Sequence, residues 1–200
     1  MPGIDVNCNA PVTKGGTPLH FAAGNGHEAV VKHLLAAPGI DINAPETDGQ
    51  TPLTWAASNG KDSEAAVKLL LAAPGIDVNA PDTNGRTPLS FAAGRGHEAI
   101  AKLLLAAPGI DVNAADTDGW TPLTWAAFTG EEDIVQGLCA VPEILVDVAD
   151  IKRRLENPPE GWRWEYPALK EDQEKCVRGI GRICGVERRR DAGWITRSRT

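Results

Sequence analysis

The tripeptide Thr-Pro-Leu begins at Thr17, Thr51, Thr87 and Thr121, at spacings of 34, 36 and 34 residues. A second phrase, Pro-Gly-Ile-Asp, begins at Pro2, Pro38, Pro74 and Pro108. Between the two lie GTPLHFAAGNGHEAVVKHLLAA, QTPLTWAASNGKDSEAAVKLLLAA, RTPLSFAAGRGHEAIAKLLLAA and WTPLTWAAFTGEEDIVQGLCAV. In-phase copies of this length constrain the chain to a stack of similar units, each covering the apolar face of the next.

The residue types say what each unit is. Thr17, Thr51, Thr87 and Thr121 are N-cap residues, and each is followed by Pro at the first helical position, where a missing N–H costs nothing. A short helix runs through Phe-Ala-Ala or Trp-Ala-Ala, whose alanines permit close helix contact. Gly26, Gly60, Gly96 and Gly130 end it in a turn. A second helix carries Val30, Val31, Leu34 and Leu35 at helical spacing, matched by Val67, Leu70 and Leu71 and by Ile100, Leu104 and Leu105. Ala-Ala-Pro-Gly stops it. Ile-Asp-Val-Asn then leads into Asp48-Gly49, Asn84-Gly85 or Asp118-Gly119, dipeptides that tolerate the positive φ of hairpin turns.

A helix, a helix and a turn, with Thr-Pro-Leu-His at Thr17–His20, resemble the ankyrin repeat. The resemblance covers residues 1–148, in repeats of about 13–46, 47–82, 83–116 and 117–148. It implies an all-α solenoid of about four helix-turn-helix repeats with short β-hairpin loops. An extra residue before the Asp-Val-Asn phrase makes the unit similar to a fungal-type variant. The family His survives only at His20; Thr54, Ser90 and Thr124 replace it, and their hydroxyls can bond locally. The second copy has two more residues around Lys61-Asp62-Ser63, which predicts a longer helix–helix turn.

The ends depart from the pattern. Met1 stands where Ala37, Ala73 and Ala107 stand, so the first helix is expected to leave apolar surface uncovered, as in a fragment of a longer protein. Residues 149–200 are expected to be a degenerate cap and an irregular or partly helical tail. Asn157-Pro158-Pro159-Glu160-Gly161 reads as a linker. Trp162, Trp164 and Tyr166 alternate as on a short strand, and residues 168–183 have a helical apolar pattern interrupted by Gly179 and Gly181.

Chemistry is scarce. His20, His27, His33 and His97 all fall at repeat positions, without a nucleophile motif beside them, so no catalytic residue is assigned. Gly179-Ile180-Gly181 lacks the strand and chain length of a dinucleotide site, and no phosphate loop occurs. Cys8, Cys139, Cys176 and Cys184 lack metal-ligand spacing. No cofactor and no metal are therefore expected. Residues 1–148 carry a net charge of −11 and residues 149–200 of +4, an acidic body that repels nucleic acid and anionic membrane. Glu187-Arg188-Arg189-Arg190 is a short basic cluster, a weak nuclear-import hint that a solvated charge run explains more simply. Without an apolar span or a leader-like N-terminus, the expected setting is the cytoplasm or nucleus, with reduced thiols.

The resemblance implies a protein partner bound at the fingertip turns and first helices of a concave groove, by a monomeric scaffold. The positions that vary there are Asp48, Gln50, Ser58, Asn59, Asn84, Arg86, Arg95, Asp118, Trp120, Phe128 and Thr129. Trp120 stands out, since Gly16, Gln50 and Arg86 occupy its place in the other copies; it serves either as a contact anchor or as packing against the tail. Phe21, Trp55, Phe91 and Trp125 recur in register and read as packing. The rival functions are a fragment of a larger modular regulator whose effector domain lies outside this chain, and an enzyme with its site in the tail.

Overall fold

A computed structural model describes residues 7–8, 15–60, 62–156 and 180. The repeats fold as helix pairs: α1 (Pro18–Gly24) with α2 (Glu28–Leu35), α3 (Pro52–Asn59) with α4 (Glu64–Leu71), α5 (Pro88–Gly94) with α6 (Glu98–Leu105), and α7 (Pro122–Thr129) with α8 (Glu132–Cys139). A ninth helix, α9 (Val148–Glu156), follows. The first helices form one layer, with α1 on α3, α3 on α5 and α5 on α7. The second helices form the other, with α2 on α4, α4 on α6 and α6 on α8.

The threonine caps hold as the sequence predicts. Thr51, Thr87 and Thr121 accept from the N–H groups of Thr54, Ser90 and Thr124, each at 3.3 Å. The first repeat does this differently. His20 Nδ1 accepts the Thr17 backbone N–H at 3.0 Å, so its proton sits on Nε2, which donates to the Gln50 carbonyl at 2.9 Å. One imidazole thus caps α1 and ties it to the next repeat.

The core runs between the layers. Leu19, Leu53, Leu89 and Leu123 of the first helices and Val31, Leu70, Leu104 and Leu138 of the second are buried, beside the alanine pairs. Each such side chain contributes on the order of 1.5–3 kcal/mol through burial. Val30 departs from its expected place on the apolar face: it is 48% exposed, whereas Ala66, Ile100 and Ile134 at the same position are buried by the preceding repeat. The second copy has the longest helix–helix connection: four residues separate α3 from α4, against three between α1 and α2 and between α5 and α6, and two between α7 and α8. Asn59 and Ser63 use the added length to donate to the Gly24 carbonyl, at 3.1 and 3.2 Å.

Asparagines link successive repeats. Asn43 donates to the Gly75 carbonyl and accepts from Asp77 N–H; Asn79 does the same with Gly109 and Asp111, and Asn113 with Glu143 and Leu145, all between 2.7 and 2.9 Å. The amide suits this because it both donates and accepts. Asp147 replaces the next asparagine. It has no N–H to donate, and its Oδ1 instead accepts from Ala149 and Asp150 N–H at 3.0 Å each, starting α9. α9 packs on α7, past the expected repeat limit at 148.

The loops are hairpin turns without strands. Asp82 N–H donates to Arg86 O at 2.9 Å and Gly85 N–H to Asp82 O at 2.9 Å, and equivalent bonds close residues 46–50 and 116–120. No strand is formed among the described residues, because each loop is closed at its base by a single inward pair of this kind. The expected strand at 162–166 and helix at 168–183 lie outside the described residues, apart from Ile180, which is helical and buried.

Candidate binding face

The fingertips line up in a row. Thr83 N–H donates to Asp48 O at 2.9 Å and Thr117 N–H to Asn84 O at 2.8 Å. Among the described residues no further fingertip follows the turn at 116–120. The guanidinium of Arg154 on α9 donates to Asp118 O instead, so among the described residues α9 closes the row as well as the asparagine ladder.

Beneath each fingertip lies a buried carboxylate. Asp82 Oδ1 accepts from Asn84 and Arg86 N–H at 2.9 and 2.8 Å, and Oδ2 meets Arg86 Nε and Nη2 at 3.0 and 2.7 Å. Asp116 Oδ1 accepts from Asp118 and Trp120 N–H at 3.0 and 2.8 Å, while Oδ2 accepts the Trp125 indole N–H at 3.0 Å. Burial pushes the Asp116 carboxyl above the usual range, against the pull of these donors. Glu46 takes the same place with one more methylene, and its buried Oε2 finds no partner among the described residues. None of these three carboxylates was singled out in the sequence, although Glu46, Asp82 and Asp116 stand at one register, four residues before the variable fingertip position.

The predicted contact residues divide by exposure. Asn59, Asn84, Arg95 and Asp118 are exposed, and Asp48, Gln50 and Arg86 are half-buried. Arg86 lies with its guanidinium carbon 4.5 Å from the Phe91 ring centroid, held there by Asp82. Ser58, Trp120, Phe128 and Thr129 are buried and present no contact surface. Trp120 is 2% exposed. Its ring centroid lies 4.6 Å from that of Trp125 and 5.2 Å from that of Phe128, so these aromatics fill the last repeat. Thr129 turns its hydroxyl back to the Trp125 carbonyl at 3.0 Å.

Phe91 and Trp125 pack between repeats as their register predicts, and they also floor a slot whose lining includes Arg86, Ser90, Gly94 and Arg95. Gly94 opens it. The equivalent positions are Gly24, Ser58 and Phe128. Ser58 and Phe128 fill their own places, and a Cβ on Gly24 would meet Asn59 Nδ2 at 2.8 Å. A Cβ on Gly94 would find only Trp125, at 3.6 Å, because Thr129 stands where Asn59 stands and turns away. The slot was missed in the sequence because it arises from side chains that are lacking. Among the described residues no three His, Cys, Asp or Glu side chains come together as a metal site would require, and no helix is long and apolar enough to cross a membrane.

Two parallel layers of helix hairpins, with a row of hydrogen-bonded turns along one edge, define a solenoid repeat protein. The family model for ankyrin repeats (3 copies) matches residues 2–82 and 61–154, and the chain belongs to that family. No match was found among curated proteins. Ankyrin repeats serve generally as protein-interaction modules.

Proposed function

We propose that this chain is a protein-interaction scaffold that holds a partner protein in the concave groove between its fingertips and first helices, and that it is not an enzyme. The supporting observation is the placement of the residues that depart from the repeat pattern. Asp48, Gln50, Asn59, Asn84, Arg86, Arg95 and Asp118 keep exposed or half-exposed side chains, while the recurring threonines, leucines and alanines of the first helices are absorbed in caps and core. Variation there leaves the fold intact, which is what a recognition surface needs. Fingertips fixed to one another by backbone bonds lose little conformational entropy when a partner docks, and this favours affinity. The scaffold acts as a monomer in the cytoplasm or nucleus, with a net charge of −7 that disfavours nucleic acid and anionic membrane.

Quantitative affinity capture tests this reading. Wild type, an Asn84→Ala/Arg95→Ala double variant and an outer-helix control, Lys32→Ala, are compared after circular dichroism shows equal helicity. The proposal expects a set of captured proteins that the double variant loses and the control keeps. Identical capture by all three proteins would overturn it.

A further inference from the structure

We infer that the slot between the third and fourth repeats receives a single carboxylate side chain, Glu or Asp, from an otherwise uncharged or basic linear segment of the partner. The inference rests on the groove reading above and specifies its chemistry.

Its size sets the first limit. The slot is a shallow surface opening, far too small to enclose a drug-sized ligand or a nucleotide, so only the end of one side chain enters it. The floor is apolar, lined by Phe91 and Trp125, and suits the methylenes of a side chain. The two cations differ. Arg86 is neutralised by Asp82 at 2.7 Å and flattened over Phe91, and so forms a wall. Arg95 is exposed and makes no ion pair among the described residues. It stands at the rim, beside the opening that Gly94 leaves, as a guanidinium able to hold a carboxylate through paired N–H donors. A polyacidic segment is disfavoured, because the molecule as a whole is acidic and the neighbouring fingertip carries Asp118.

Selection from a phage-displayed library of random short linear peptides tests this on the full chain. Wild type is expected to enrich peptides with one Glu or Asp at a fixed position. Arg95→Glu is expected to weaken those peptides by roughly tenfold or more and, in its own selection, to enrich Lys or Arg at that position. Gly94→Phe places in the slot the residue that the fourth repeat already carries at Phe128, and is expected to abolish the preference. Lys32→Ala should leave it intact. Peptides enriched without an acidic position, or insensitive to Arg95→Glu yet lost in Asn84→Ala, would overturn the slot and leave the groove reading standing. Peptides insensitive to all three inner-face variants would overturn both, and no enrichment by wild type would overturn the slot.

Discussion

The Trp125 indole N–H donates to the Asp116 carboxylate at 3.0 Å, which fixes the aromatic floor of the fourth repeat to the turn that carries Trp120. Removing the acceptor takes away the bonds it receives from that indole and from the Asp118 and Trp120 N–H groups. Asp116→Ala is therefore expected to destabilise the protein by roughly 2–3 kcal/mol and to shift tryptophan emission towards the red. Urea titration followed by fluorescence measures both; an unchanged midpoint would mean the turn does not depend on this carboxylate.

Trp120→Ala separates packing from recognition. With 2% of its surface exposed and two aromatic neighbours, Trp120 is expected to cost about 3–5 kcal/mol when truncated, as buried aromatics do. Affinity per folded molecule should change little. Loss of binding with full stability would place Trp120 on the partner.

Leu70 is fully buried where the second helices meet the first. Leu70→Ala is expected to cost about 2–5 kcal/mol in chemical denaturation. A cost below roughly half a kcal/mol, the size of a surface substitution, would contradict that core.

Asn79 joins the second and third repeats through a donor to Gly109 O at 2.7 Å and an acceptor for Asp111 N–H at 2.9 Å. Asn79→Asp keeps the acceptor and sets a carboxylate oxygen against the Gly109 carbonyl. A loss of about 1–2 kcal/mol is expected, together with faster hydrogen exchange near 109–111. Equal exchange in both proteins would show that the ladder adds nothing.

His20 gives stability a pH dependence. Burial holds its imidazole below the usual histidine range, although the Gln50 carbonyl and the nearby Glu46 pull the other way. The unfolded chain therefore takes up this proton first as pH falls. The contribution of neutral His20 is complete above about pH 6.5 and declines below it, towards the lower folded value. His20→Thr, which copies the residue at Thr54 and Thr124, is expected to cost about 1 kcal/mol at pH 8 through the lost bond to Gln50. It should cost less at pH 5. Equal costs at the two pH values would refute the requirement for a neutral ring.

The fold was legible because the strict features are local. Thr-Pro at a helix start and Gly at its end act within a turn of chain, and repetition removes their ambiguity. The inner surface was only partly legible. Repetition marks Trp120 and Phe128 as unusual but carries no sign for whether an unusual residue faces in or out; Asp116 and the bulk of Trp125 decide that, from other segments. The slot depends on Gly94 and on Thr129 turning away, a relation between two helices 35 residues apart. The change from asparagine at 113 to aspartate at 147 starts α9, and the role of Arg154 appears only once the fingertips are stacked.

Hydrogen exchange on the complex with a captured partner tests the central claim most directly. The account predicts protection at the fingertips, residues 48–50, 84–86 and 118, and at the end of α5 around Arg95, with α2, α4 and α6 unchanged. Protection confined to those second helices would place the partner on the opposite side and contradict the account.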